Sequence, residues 1–89
     1  MDISERLKSD KDFFAILVKD NPYYLKFANE SVRGNKEFLL EEAKKDISIL
    51  NYASWNILDN TDFILEVIKI NPDAIKFASK RIRETITNI

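Results

Sequence analysis

DKDFFAILVKDNPYYLKFANESVRG, residues 10–34, decides the fold, because it occurs three times. It returns as NKEFLLEEAKKDISILNYASWNILD at 35–59 and as NTDFILEVIKINPDAIKFASKRIRE at 60–84. The copies align without a gap at a period of 25 residues, and self-similarity at a fixed period is the mark of a repeat architecture. The shared positions are Phe13/Phe38/Phe63, Lys19/Lys44/Lys69 and Ala28/Ala53/Ala78, with Asn21-Pro22 and Asn71-Pro72 common to the first and third copies.

Each unit reads as two short helices. Asp10, Asn35 and Asn60 stand where a side chain can accept from the free N–H groups of a first turn. Ser9-x-x-Asp12 and Asp59-x-x-Asp62 resemble capping boxes. Acidic Asp12, Glu37 and Asp62 lie at the positive end of the first helix, and Lys19, Lys44 and Lys69 at its negative end. Phe13, Leu17 and Val18, like Phe63, Val67 and Ile68, recur at helical spacing, while Glu41 and Glu42 interrupt the middle stripe. Asn21-Pro22, Asp46 and Asn71-Pro72 end the first helix and open the second. The repeated Ala28, Ala53 and Ala78 then predict a close crossing of helices.

Outward from the units, Ile3-Ser4-Glu5-Arg6-Leu7-Lys8 aligns with Ala78-Ser79-Lys80-Arg81-Ile82-Arg83. The chain therefore opens on the second half of a repeat, residues 1–9. Residues 85–89 extend the last helix, with Ile82, Ile86 and Ile89 spaced to shield the open end of the array. The expectation is one all-α domain over 1–89. It is a short solenoid of three 25-residue helix–turn–helix repeats plus an N-terminal half-repeat, about seven helices in all.

The pattern D-x-[DE]-F-[IL]-L-x-x-[AIV]-K-x-[ND]-P-x-x-L-K-[FY]-A-S-x-x-[IL]-R resembles the helical repeat of domain-of-unknown-function family 4116. The resemblance covers 3–84, and the middle unit departs from it at Ile47 and Leu58. It implies a helical-repeat fold and transfers no catalytic residue.

Composition narrows the function. Hydrophobic residues at 45% and aromatics at 11% fit a globular chain. The net charge is −1, from 14 basic and 15 acidic side chains, which gives no general pull toward nucleic acid or anionic lipid. No apolar run approaches a membrane span, so no membrane partner is expected. The absence of Cys fits a cytoplasmic protein. With no His, no Cys and a single Gly at Gly34, the usual proton shuttle, soft metal ligands and phosphate loop are missing. Glu41-Glu42 and Asp59…Asp62 read as surface and capping carboxylates. No enzyme, cofactor or metal is expected.

The repeat supplies its own control for a binding surface. Where two copies are polar, a large apolar residue in the third is expected to be exposed. Trp55 stands against Glu30 and Lys80, Leu58 against Arg33 and Arg83, and Tyr23 against Ser48 and Asp73. Ile70 stands against Asp20 and Lys45, and Ile16 against Glu41 and Glu66. Trp55 and Leu58, three apart, share a helical face, and Trp and Tyr are enriched at binding hot spots. The leading expectation is a non-enzymatic protein-binding module, a small adaptor or inhibitor. It uses Trp55, Leu58, Tyr23, Ile70 and Ile16 to hold another protein or a second copy of itself. The alternative is a nucleic-acid-binding module using the row Lys19, Lys44, Lys69 and the basic last helix with Lys76, Lys80, Arg81 and Arg83.

Overall fold

The computed structural model describes residues 3–87. Met1, Asp2, Asn88 and Ile89 lie outside it, so the outermost residues of the opening half-repeat and of the proposed end shield are not described. The chain is all-α, with no strand among the described residues. Its α-helices are α1 (Glu5–Lys8), α2 (Lys11–Asp20), α3 (Glu30–Arg33), α4 (Lys36–Lys45), α5 (Trp55–Leu58), α6 (Thr61–Ile70) and α7 (Lys80–Thr87). Three 3-10 helices lie between them: η1 (Pro22–Phe27), η2 (Ile47–Tyr52) and η3 (Pro72–Phe77). The long α2, α4 and α6 begin 25 residues apart, as do η1, η2 and η3, and as do the starts of α1, α3, α5 and α7.

A unit thus holds three helical pieces where two were expected. The long α-helix forms as read. Asp10 Oδ1 accepts from the amides of Asp12 and Phe13 at 3.0 and 3.1 Å, and Asn35 and Asn60 accept from Phe38 and Phe63 at 3.0 Å. Each closes on an Asn or Asp whose backbone turns extended: Asn21, Asp46 and Asn71, with φ between −160° and −153°. The same side chain then accepts from the amide two residues on, at 3.0 Å, and so starts the 3-10 turn. This second piece does not run on as one helix. Ala28, Ala53 and Ala78 sit in extended backbone, ψ 156–158°, and stop it. The buried Ala column therefore marks a break in the chain between η and α pieces, where the sequence suggested a crossing of two helices.

The break has a physical consequence. It frees the next backbone amide, which turns to the preceding unit. Asn29 N–H donates to Lys8 O at 2.8 Å, Ser54 to Arg33 O at 2.8 Å, and Ser79 to Leu58 O at 3.0 Å. Each acceptor ends a short α-helix, whose last carbonyls have no partner within the helix. The side chains beside this staple are used too. Asn29 Nδ2 donates to Ser9 Oγ at 2.8 Å, and Ser79 Oγ to Asp59 Oδ1 at 2.6 Å. Ser9 and Asp59 consequently do not cap α2 and α6 as the capping-box reading had it; their oxygens face the following unit. The matching position in the middle is Gly34, and there Ser54 Oγ accepts from Asn56 N–H within its own turn at 3.3 Å.

The core runs along the array. Phe14 and Val18, Phe38, Leu39 and Ala43, and Phe63, Ile64 and Val67 are the buried residues of the long helices that line it, joined by Leu25, Ile49, Leu50, Val32, Ile57 and Ile82. Burial along the repeated phenylalanines rises from half-buried Phe13 to Phe38 at 8% and Phe63 at 0% exposed. Successive units touch through η1 on η2, η2 on η3 and α4 on α6. The described chain measures 45 × 21 × 19 Å. α7 runs to Thr87 where its counterparts α3 and α5 stop after four residues, and Ile86 packs half-buried against the core.

The staple yields two expected outcomes. Gly34 has φ −107° and ψ 10°, close to Ser9 and Asp59, so a side chain is compatible with its backbone. A Cβ there would meet Ser54 Cβ at 3.5 Å, an ordinary contact, and the Glu30 carbonyl at 3.1 Å, a tighter one that shifts of a few tenths of an ångström relieve. Gly34→Ser gives this position the residue type found at Ser9 and removes glycine's unfolded-state entropy, so its urea midpoint should rise by the equivalent of about 0.5–1 kcal/mol. The second outcome concerns acid. The Ser79 hydroxyl above all holds the Asp59 carboxyl below the ordinary aspartate range against an upward push from burial, with Arg81 adding to the lowering. A depressed folded-state value contributes stability above the unfolded value of about 3.9, lost as pH falls through the folded one. The wild-type melting midpoint should therefore drop on acidification below about pH 4, and Asp59→Asn should flatten that drop while lowering the midpoint at neutral pH.

Candidate functional site

Trp55 is the first residue of α5, directly after the extended Ala53-Ser54 break, and is 67% exposed. Its column holds exposed Glu30 and Lys80. Tyr23, 38% exposed, stands edge-on to Phe27 at 5.8 Å within η1 and to Tyr52 of the next unit at 5.7 Å. Lys26 Nζ lies over the Tyr23 ring, 4.4 Å from its centre. Tyr52 ends η2, three residues before Trp55. The contiguous aromatic cluster is therefore Tyr23, Phe27 and Tyr52, and it leads along the chain to Trp55.

Leu58 behaves differently from the expectation. It is half-buried and packs against the core, while its carbonyl takes the Ser79 amide. The reason lies in its column. Arg33 is also half-buried there, reaching over the next unit to donate Nε–H to Tyr52 O at 3.2 Å. A long basic side chain can cover apolar surface with its stem, so a charged residue in another copy did not mark this column as outward. Ile16 is 67% exposed on α2, and Ile70, 37% exposed, ends α6 beside Leu40 in the cleft between α4 and α6. The five apolar residues are thus spread over long, 3-10 and short helices.

Two residues carry weight that the repeat comparison did not assign. Leu65 is 43% exposed. Its column, Ala15, Leu40 and Leu65, is apolar throughout. Leu40 lines the α4–α6 cleft, and among the described residues no further long helix packs on α6. Glu42 is the converse. It occupies the column of Leu17 and Val67 and is buried, with 7% of its surface exposed. Its Oε2 pairs with Lys45 Nζ at 3.3 Å.

The lysine row is interleaved with carboxylates. Lys44 and Lys69 line the α4–α6 cleft together with Glu37, Glu41 and Glu66. Lys44 pairs with Glu41 at 3.2 Å, and Lys36 bridges to Glu66 at 3.7 Å. Lys19 opens instead onto a separate cleft with Glu42 and Asp46. On the last helix, Arg81 is committed to Asp59, giving Nε–H to Oδ1 at 3.1 Å and a second N–H to the carbonyl at 2.7 Å. Lys80 faces Glu84 at 3.9 Å, Arg83 is exposed on the same helix, and Lys76 of η3 lies over Phe77. No group of three or more metal-ligating side chains occurs among the described residues. No helix among them is long and apolar enough to cross a membrane.

The model of one family, the domain of unknown function DUF4116, matches residues 10–58. The chain belongs to that family. The DUF4116 match begins at the α2 cap and ends with α5, so it spans the first two units and their staple. No curated protein and no solved structure matches the chain.

The interleaved charges set an expectation for the lysine row. Changing Lys19, Lys44 and Lys69 together to Gln should cost at most about 1 kcal/mol for the one exposed ion pair it removes. Neither form should retain duplex or single-stranded DNA in a filter assay at moderate salt. Retention by the wild type that falls steeply with salt and vanishes in the triple variant would reverse this assignment.

Proposed function

We propose that the chain is a non-enzymatic protein-binding module of the cytoplasm, a short solenoid that holds another protein on the surface around Trp55. The observation that carries the reading is the 67% exposure of Trp55 at the start of α5, in a column held elsewhere by Glu30 and Lys80. A large aromatic ring left in water gains most from burial against a partner. The Tyr23–Tyr52–Phe27 cluster supports it, its rings already in edge contact and Tyr52 three residues before Trp55. Elongated helical arrays present an extended surface to their partners, and the 45 Å length is consistent with that use. The carboxylates along the lysine row favour a protein partner over nucleic acid.

The test is capture from the native host with tagged wild type and Trp55→Ala, with and without nuclease. The recovered partner is then purified and its affinity measured by calorimetry. Trp55→Ala should weaken binding by about 2 kcal/mol or more, roughly thirtyfold, with an unchanged melting midpoint. Equal affinity of the two forms, or capture that nuclease abolishes, refutes the reading.

A further inference from the structure

The buried glutamate of α4 is unexplained by the repeat. A carboxylate in a column that is Leu17 in one copy and Val67 in another forfeits apolar burial and loses hydration. It is not enclosed, however. Glu42 opens into a cleft of about 230 Å³ between the C-terminal ends of α2 and α4 and the turns that follow them. That is below the ~300–1,000 Å³ of drug-sized sites and suits one long side chain. Val18, Pro22 and Ile49 give the cleft an apolar lining, and Asp46, one turn after Glu42, adds a second carboxylate.

The polar atoms are only partly used. Glu42 Oε2 has Lys45, and Oε1 accepts no hydrogen bond among the described residues. Asp46 Oδ1 takes the amide and hydroxyl of Ser48 at 3.0 and 2.7 Å, while Oδ2 has no such partner. The hydrogen bonds from Ser48, its hydroxyl first, keep the Asp46 carboxyl below its ordinary range and so ionised at neutral pH. Lys19 and Lys45 stand at the same cleft; Lys45 is more than half exposed and Lys19 exposed, so both heads can turn to water. The Lys45–Glu42 contact spans a single helical turn, and such pairs are weak where one partner is solvated.

We propose that this cleft receives an arginine side chain of the protein partner, its guanidinium on Glu42 and Asp46 and its stem on Val18, Pro22 and Ile49. The inference rests on the reading that the chain binds a protein. Arginine fits better than lysine because its planar fork can give separate N–H groups to two carboxylates. Its weaker hydration lowers the cost of meeting the buried Glu42 carboxylate.

The probe is N-acetyl-arginine methylamide, titrated into the ¹⁵N-labelled full chain and followed by NMR, with N-acetyl-norleucine methylamide as the uncharged comparison. Saturable shifts should appear at Val18, Lys45 and Ile49 with the arginine derivative alone. They should weaken at least tenfold in Glu42→Gln and in Glu42→Leu, which restores the apolar column and keeps the fold, and persist in Trp55→Ala. Absent shifts, equal shifts with norleucine, or shifts retained in Glu42→Leu overturn the proposal. Those results leave the Trp55 reading standing, since partner affinity of Trp55→Ala tests it separately. A partner lost by Trp55→Ala but unaffected by Glu42→Leu would refute the arginine cleft alone.

Discussion

The array depends on one backbone hydrogen bond made three times: the amide of Asn29, Ser54 or Ser79 to the last carbonyl of the preceding short helix. A four-residue α-helix is nearly all ends. It makes few bonds within itself, and helices of that length do not persist alone in water. The staple gives the carbonyl end of one short helix to the amide start of the next. Each short helix is therefore stabilised by its neighbours, and the order of the units follows from the pairing. The extended residue at Ala28, Ala53 and Ala78 makes this possible, because a continuous helix would have used the same amide internally. A small side chain fits there because the break itself is buried.

The polar columns beside the staple show how far the copies have diverged without losing it. Ser9 with Asn29, Gly34 with Ser54, and Asp59 with Ser79 are the same two positions filled three ways. At the last joint the carboxylate gathers Ser79 and Arg81. At the middle joint no side chain crosses at this position, although Arg33 reaches over to the Tyr52 carbonyl nearby. The backbone bonds at these two joints, 2.8 and 3.0 Å, are alike, so it is the amide pairing that recurs while side chains vary around it.

The proposed binding surface is built from departures from the repeat. Trp55 departs toward an exposed ring where its siblings are charged, and Glu42 departs toward a buried charge where its siblings are aliphatic. Both run against the solvation preference of their column. The charges along the long helices follow the opposite logic. Lys44 pairs with Glu41 within α4 and Lys36 with Glu66 across to α6, so carboxylates are interleaved with the lysines.

The sequence by itself determined the 25-residue period, the all-α class and the sites where each long helix begins and ends. These are local matters: caps at Asp10, Asn35 and Asn60, and Asn or Asp turns at positions 21, 46 and 71, act on amides two or three residues away. Trp55 and Tyr23 were legible as exposed because charged or short polar side chains hold their columns. Only the tertiary structure decided the rest. Ser9 and Asp59 sit where a capping box would use them, yet their oxygens serve residues 20 positions later. Leu58 and Arg33 share a column that the next unit covers, so a basic residue and a leucine are both half-buried there. Leu65 repeats an apolar column and is exposed, although Leu40 of the same column lines the cleft between α4 and α6. In each case the deciding neighbour belongs to another unit, and a period read along the chain records that a position recurs without recording what packs across from it.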